Sequence, residues 1–211
     1  MCGRFSVISN SRSLAEHFVL VEAGEFIHSY NVSPSDIIPV IRLNNEHREL
    51  VNCHWGLIPH WARDTRLQPI NAKAETIDKK PFFRSAYKHN RCLVPANGFY
   101  EWKGSKGHKQ PFYFKLTDSE LFAFAGLWEH WEQGDDMVES CTIITTDANK
   151  VMSPIHHRMP VILDKNDYDE WLFNGNRSLL VPYDGKMTCY QVSTIVNNPD
   201  NEGKDLIQPV N

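Results

Sequence analysis

The sequence predicts a single compact α+β domain with a mostly antiparallel or mixed β-sheet. The chain has 211 residues, which suits one large domain. Strand-type segments outnumber helical ones, and few of the helices between them are long enough to cross over a parallel sheet. The glycine motifs of nucleotide-binding parallel sheets are missing, since GSKG lacks the P-loop spacing and no GxGxxG occurs.

The first half of the chain contains one predicted helix and one predicted hairpin. SRSLAEHFVL has apolar residues at helical spacing, with Ser11 or Ser13 as the expected N-cap. DIIPVIRL and RELVNCHWGLIP have the composition of strands. The NNE between them is a turn that would join the two strands.

The second half is predicted to be a series of strands with two further helices. A helix with a basic outer face is expected to begin near Pro81 in DKKPFFRSAYKHN. RCLVPANGFYEWK, PFYFKLTD and LFAFAGLWEHW have strand patterns, and GSKGHKQ and TDSE are turns between them. SCTIITTDA and KMTCYQVS are predicted strands, and KNDYDEWLF is a predicted helix.

Composition argues against several classes of protein. No apolar run approaches the roughly 20 residues needed to cross a bilayer, and the N-terminus lacks the apolar block of a leader peptide. We therefore expect a cytoplasmic protein without membrane association. The five cysteines form no CxxC and no metal-ligand spacing, so neither a disulfide framework nor a metal or other cofactor is expected.

Charge is distributed unevenly along the chain. The formal net charge is −4, which argues against a protein that coats nucleic acid with its whole surface. Residues 60–91 contain eight basic and three acidic side chains, a net +5, so the remainder carries −9. Either a solvated basic face or a site for an anionic partner would account for this asymmetry.

Two polar positions interrupt apolar stretches. Glu101 lies between aromatic residues in a predicted strand, where apolar surroundings would raise its pKa from about 4.3 and suit it to proton transfer. An outward-facing glutamate is the alternative. His156 and His157 are adjacent in a turn, so at most one is expected to enter a given site. A loop or core histidine with satisfied nitrogens is the alternative for either.

Other candidates lie nearer the N-terminus. Asn71 and Lys73 would share one face of an extended segment, with a polar turn as the alternative. Trp61, in the basic segment, would offer a stacking surface for a base, whereas Pro34 would ordinarily be structural. Cys2 directly follows the initiator methionine, and a small second residue permits removal of Met1. The mature chain would then begin with a free α-amine and a thiol on one residue.

Seven segments, taken in order, resemble the signature motifs of the SRAP (SOS response-associated peptidase) family of abasic-site processing proteins. They are MCGRF, YNVSPSD, HWGLIPHW, INAKAE, RCLVPANGFYEWK, SPIHHRMPVIL and LIQPV. The resemblance extends from residue 2 to about residue 210. It implies one SRAP domain over residues 1–211, with Met1 removed and a barrel-like core.

The resemblance also implies a reaction with single-stranded DNA that contains an abasic site. The Cys2 amine would attack the sugar aldehyde to give a Schiff base, and the thiol would close a reversible thiazolidine ring. Glu101 would handle the protons of Schiff-base formation, and His156 would assist opening of the sugar ring and release. Asn71 would position Cys2 and the sugar. No cofactor is implied, and we expect a monomer.

The same resemblance implies a set of residues that line the DNA groove. The residues are Arg4, Pro34, Trp61, Lys73, Arg84 and Arg158. Two of these positions depart from the family pattern. Lys73 stands where the family commonly has arginine, so the bidentate phosphate geometry is lost, and a single tryptophan at Trp61 offers one stacking ring instead of two.

Two other functions fit the same residues. An N-terminal-nucleophile peptidase would use the Cys2 thiol to attack a peptide and its α-amine as the base, and the family has been linked to removal of its own Met1. A non-covalent reader of single-stranded or modified DNA would use the basic segment and Trp61 without chemistry.

Overall fold

Thirteen strands and two short α-helices are found in the computed structural model, which describes residues 2–21, 24–105 and 107–210. In chain order the first elements are β1 (Phe5–Val7), α1 (Ser11–Phe18), β2 (Ser29–Val32), β3 (Ile37–Asn44), β4 (His47–Trp55), β5 (Asn71–Lys73), α2 (Arg84–His89) and β6 (Arg91–Ala96). The later elements are β7 (Gly98–Lys103), β8 (Gln110–Leu116), β9 (Phe122–Gln133), β10 (Asp136–Asp147), β11 (Arg158–Pro160), β12 (Ile162–Leu163) and β13 (Met187–Gln191).

Five strands close into a barrel. β3 pairs with β4, β4 with β10, β10 with β9, β9 with β6, and β6 returns to β3. Only the β4–β10 pairing in this circuit is parallel, so the barrel is mixed. The second half of β10 extends past the circuit, where β5 adds in parallel and β11 adds antiparallel. These two short strands position residues of the site described below.

A second sheet packs against the barrel. Its strand order is β13–β8–β7–β1–β2, and every pairing in it is antiparallel. Phe5 of β1 joins the two layers, because its ring meets Trp55 of β4 at 5.1 Å and Phe124 of β9 at 5.8 Å, both edge to face. The strand that follows Cys2 is therefore fixed in the core between the layers.

Helical segments cover the outer face of the barrel. Three expectations about these segments were wrong in detail. Asn10 caps α1 by accepting from the Ser13 amide at 2.8 Å, because it is the last extended residue before the helix, so neither serine is the cap. The helix expected near Pro81 begins at Arg84, after successive turns. KNDYDEWLF forms a 3-10 turn at Lys165–Asp167 and a π-helical turn at Glu170–Asn174 instead of one α-helix.

The predicted fold class is confirmed. The β3–β4 hairpin forms as expected, with Asn45 in the left-handed region at φ 56° in its turn. The strands predicted over RCLVPANGFYEWK, PFYFKLTD, LFAFAGLWEHW, SCTIITTDA and KMTCYQVS are all present. Within the described residues, no helix has the length and apolar character to span a lipid bilayer.

Candidate active site

Cys2 lies fully buried just before β1. The backbone around it is fixed, since the Tyr100 amide of β7 donates to the Arg4 carbonyl at 2.9 Å. The Cys2 thiol lies 3.9 Å from the same carbonyl oxygen. Burial, and then the nearby Glu101 carboxylate, raise the pKa of this thiol well above its ordinary value. The thiol is therefore protonated at neutral pH and needs a proton acceptor before it can act as a nucleophile.

Asn71 holds Cys2 from the barrel side. It is the first residue of β5, where it pairs with Ile143 of β10. Its Nδ2 donates to the Cys2 carbonyl oxygen at 2.8 Å. Its Oδ1 is buried and has no hydrogen-bond partner among the described residues. Asn71 thus anchors the backbone of Cys2 and keeps one acceptor for a ligand.

Glu101 approaches Cys2 from the second sheet. It lies in β7, next to β1, and is only 4% exposed. Burial raises the pKa of this carboxyl above its ordinary value. A carboxyl with a raised pKa exchanges protons more readily near neutral pH, which suits a general acid and base. The expectation of a buried Glu101 is met.

His156 occupies the turn before β11. The Arg158 amide donates to its Nδ1 at 3.0 Å, which fixes the ring. Burial lowers the pKa of His156, so the imidazole is neutral at physiological pH. His157 is exposed, and its ring stacks on that of His156 with centroids 4.4 Å apart. His156 is thus the more buried of the pair, and its role in the site stays a prediction.

Arg4 is held by Asn31 of β2 and by the C-terminal segment. Its Nη1 donates to Asn31 Oδ1 at 2.7 Å and to the Val196 carbonyl at 2.9 Å. Asn31 in turn donates from Nδ2 to the carbonyls of Asn198 at 3.0 Å and Asn201 at 2.8 Å. Arg4 Nε is buried without an acceptor among the described residues. The phosphate contact expected of Arg4 stays a prediction.

The other expected DNA contacts on the barrel side are exposed. Trp61 is 51% exposed and meets the ring of Phe82 edge to face at 5.9 Å. Together with Arg84 it lines a basic groove of about 650 Å³, to which Lys88 and His89 also contribute. Lys73 is exposed at the end of β5, and Pro34 is exposed in the turn after β2. We call the groove lined by Trp61 and Arg84 the Trp61 groove.

Arg158 differs from this group because its charge is already paired. Its side chain is only 7% exposed. Its Nη1 donates to Glu75 at 2.6 Å and to Asp147 at 2.8 Å, and its Nη2 donates to the Thr145 carbonyl at 2.7 Å. The guanidinium therefore ties β10 and β11 to the 3-10 turn that follows β5. Its expected phosphate contact stays a prediction.

Comparisons with known proteins identify the family and the fold of the chain. The family model described as "SOS response associated peptidase (SRAP)" matches residues 1–199. The chain belongs to the SRAP family. A solved structure from Bacteroides thetaiotaomicron has this SRAP fold with a TM-score of 0.89 at 28% identity, covering 99% of this chain and 100% of the other.

Several relatives of this SRAP chain have names that refer to DNA lesions. The abasic site processing protein YoqW of Bacillus subtilis is 44% identical over 222 residues, which cover 99% of each chain. The abasic site processing protein YedK of Escherichia coli is 29% identical and is covered in full. The abasic site processing protein HMCES of Xenopus tropicalis is 32% identical over 90% of this chain and 68% of its own length.

Two residues near this candidate site were not singled out from the sequence. Asn31 joins Arg4 to the C-terminal segment, and the YNVSPSD motif was its only signal. Burial is the main influence on the pKa of Glu101 and of His156. The positive charge of Lys109 has a smaller effect, and it lowers the pKa of both groups. A lysine in the polar GSKGHKQ turn gives no sequence signal of its own, and Lys106 of that turn lies outside the described residues.

Proposed function

We propose that this protein captures abasic sites in single-stranded DNA by a reversible covalent bond to Cys2. The observation that carries the proposal is the Asn71–Cys2 hydrogen bond, which holds the second residue of the chain beside a buried carboxyl. The names of the relatives point to the same substrate class. The reaction requires removal of Met1, which lies outside the described residues.

The chemistry needs no oxidant or reductant. The Cys2 amine adds to the open-chain aldehyde of the abasic sugar, and loss of one water gives a Schiff base. The thiol sulfur then adds to the imine carbon while the imine nitrogen takes up a proton. The five-membered thiazolidine ring closes within one residue, so its effective molarity is high. A primary α-amine has a pKa of about 7.7–8.0 and is partly neutral at physiological pH.

The two titratable side chains suit the proton transfers. Glu101 would protonate the departing hydroxyl of the carbinolamine and later accept the thiol proton, since its pKa is raised by burial. His156, neutral because burial lowers its pKa, would assist opening of the sugar ring and the reverse reaction. Asn71 Oδ1 would accept a hydrogen bond from the amine or the sugar.

The DNA strand would pass over the exposed basic surface of the barrel. Trp61 would stack on a base, and Lys73 and Arg84 would contact phosphates. Pro34 and Arg4 would border the lesion. Arg158 would support the site through its ion pairs with Glu75 and Asp147. It would reach a phosphate only if Asp147 moved aside.

The test is a denaturing gel. The purified protein, with removal of Met1 confirmed by mass spectrometry, is incubated with an oligonucleotide that carries one abasic site. We expect a heat-stable shifted band that is absent for Cys2→Ala and for protein with one extra residue ahead of Cys2. An intact undamaged oligonucleotide is the control. Absence of the band for wild-type protein would refute the proposal.

A native gel and a peptide-cleavage assay separate the two alternative functions from covalent capture. A non-covalent reader would bind the oligonucleotide in a native gel and give no band after denaturation. An N-terminal-nucleophile peptidase would cleave peptides whether or not DNA is present. No observation of the site favours either alternative over covalent capture.

A further inference from the structure

Glu129 is a buried carboxyl that the proposed reaction does not use. It lies in β9, shares one face of that strand with Leu127 and Trp131, and is only 2% exposed. Burial raises the pKa of this carboxyl, and the ring and main chain of His60 act in the opposite direction. Burying a carboxyl costs free energy unless its oxygens are hydrogen-bonded, so the fold holds Glu129 here only because it has a partner.

The partner of Glu129 is His60, the residue before Trp61. His60 Nδ1 lies 3.1 Å from Glu129 Oε2. An ionised carboxylate only accepts hydrogen bonds, so the imidazole donates through Nδ1. The side chain of His60 is 53% exposed and lines the Trp61 groove. The pair therefore connects the wall of the barrel to the edge of that groove.

Trp131 holds the residue on the other side of Trp61. Its Nε1 donates to the Ala62 carbonyl at 2.8 Å. Trp131 follows Glu129 by two residues, so both side chains leave β9 on the same face. The Ala62 amide donates to the Pro59 carbonyl at 2.9 Å and closes the turn. One strand of the barrel thus fixes the turn at the residues immediately before and after Trp61.

Trp61 lies between these two anchors with its own side chain exposed. It is 51% exposed, and its ring meets that of Phe82 edge to face at 5.9 Å. An aromatic ring on a fixed backbone has fewer directions available to it than one on a loose loop. It therefore loses less conformational entropy when a base stacks on it.

We propose that Glu129 is a positioning residue for DNA binding, which fixes the turn through His60 and so presents Trp61 to a base. Glu129 lies beneath the turn and contacts no nucleotide itself. The inference rests on the proposed function, and it gives a role to a carboxyl outside the reacting centre. Loss of the pair should weaken binding of single-stranded DNA while bound DNA still reacts at the normal rate.

The first experiment measures affinity for an undamaged single-stranded oligonucleotide by fluorescence anisotropy. Glu129→Met removes the acceptor, and Glu129→Gln keeps one acceptor oxygen. The matched control is Glu132→Met, which removes the same charge from an exposed glutamate of β9 that lies 3.7 Å from His130. Relative to this control, we expect Glu129→Met to bind about fivefold more weakly and Glu129→Gln to lie in between. Equal affinity of Glu129→Met and the control would overturn the inference.

The same comparison in a Trp61→Leu background tests whether Glu129 acts through Trp61. Trp61→Leu alone should weaken binding, and adding Glu129→Met should then have no further effect, because both changes remove the same contact. A defect that persists in the absence of the Trp61 ring would show that Glu129 acts by another route. That result, or normal affinity of Trp61→Leu itself, would also overturn the inference.

Crosslinking kinetics separate positioning from general damage to the fold. With an abasic oligonucleotide at increasing concentration, Glu129→Met should raise the half-saturating concentration about fivefold and leave the plateau rate unchanged. A plateau that falls by the same factor would contradict a role confined to DNA binding. Wild-type protein that binds the oligonucleotide and never crosslinks would refute the proposed function, and the affinity comparison would still decide this inference.

A second variant covers the case in which Glu129→Met does not fold. Unfolding midpoints identify such a variant. Trp131→Phe removes only the donor to the Ala62 carbonyl and keeps an aromatic ring in the same place. It should weaken binding in the wild-type background and have no effect in the Trp61→Leu background. Weakening in both backgrounds, or in neither, would contradict an anchored turn that acts through Trp61.

Discussion

Asn71 Nδ2 and the carbonyl oxygen of Cys2 are 2.8 Å apart, and this hydrogen bond connects the two sheets at the proposed reacting residue. Asn71 starts a strand of the barrel layer, whereas Cys2 leads into β1 of the second sheet. The position of Cys2 therefore depends on how the two layers pack, and the following variants test the parts of that arrangement.

Asn71→Ala is expected to slow crosslinking about five- to tenfold, because it removes one hydrogen bond worth about 1 kcal/mol from the positioning of Cys2. The measurement is single-turnover crosslinking on a denaturing gel. Asn52→Ala, which removes a bond to the Glu25 carbonyl at 3.1 Å on the surface, is the matched control. An Asn71→Ala rate equal to that of the control would contradict the positioning role.

Glu101→Gln is expected to slow crosslinking by about 10²- to 10⁴-fold, since the amide cannot exchange protons while its shape is preserved. Rates are measured from pH 5 to 9 for both proteins. The acidic limb of the wild-type profile is expected to disappear in the variant. A variant that keeps both the rate and the profile would remove Glu101 from the mechanism.

The same substitution is expected to stabilise the fold at neutral pH. Burial raises the pKa of Glu101, so the folded protein binds this proton more tightly than the unfolded chain does. Stability is thus lost as pH rises from about 4.3 through the folded-state pKa. Urea unfolding should show that the advantage of Glu101→Gln over wild type grows between pH 4 and pH 7. A constant difference would argue against the raised pKa.

His156→Ala is expected to slow release of the crosslink more than its formation. Because burial lowers the pKa of His156, wild-type release should stay level from pH 8 to about 6.5 and decline only in more acidic buffer. Release is followed by trapping freed protein with excess unlabelled abasic oligonucleotide. His157→Ala, which alters the exposed neighbour in the ring stack, should behave as wild type. Equal release by both variants would exclude the assignment.

Lys73 and Arg158 are expected to respond differently to substitution. Lys73→Ala should lower the salt dependence of single-strand affinity by about 0.7 in the log–log slope, as expected for one phosphate contact. Arg158→Met should instead lower the free energy of unfolding by about 1–3 kcal/mol, because the buried guanidinium holds Glu75 and Asp147. A slope change for Arg158→Met that matches Lys73→Ala would establish a direct phosphate contact.

Gly98→Ala is expected to destabilise the protein by about 1–3 kcal/mol. A Cβ at this position would lie 2.6 Å from the Phe114 carbonyl and still closer to the Tyr113 ring, both on the paired strand β8. Gly24→Ala, where a Cβ meets nothing within 4 Å, is the control. Thermal unfolding of the two variants checks the difference.

Much of the fold follows from local sequence. The sequence pattern alone decides the type of the strands that are long or strongly apolar, namely β6, β7, β9 and β10. The NNE turn fixes the β3–β4 hairpin. The short strands β1, β5 and β11 have three residues each, which is too few for a period to appear. They exist because a neighbouring strand offers hydrogen bonds, and that is a tertiary property.

The sequence pattern singled out candidate site residues but not the partners that the structure gives them. Glu101 and His156 stand out because they interrupt apolar stretches, and the structure buries the first and partly buries the second. In the sequence, nothing distinguishes Arg158 from other basic residues in turns. Only the structure shows that its charge is paired with Glu75 and Asp147. Such pairings join residues far apart in the chain, where single-sequence patterns hold no information.

The clamp on Arg4 has a consequence for biosynthesis. Arg4 bonds directly to Val196, and its partner Asn31 bonds to Asn198 and Asn201. These three residues are translated nearly 200 residues after Arg4 itself. During translation the N-terminal segment therefore lacks these hydrogen bonds until almost the whole sequence has left the ribosome. An unfinished polypeptide would lack this support two residues from Cys2, so the proposed bond to DNA would form only once synthesis is nearly complete.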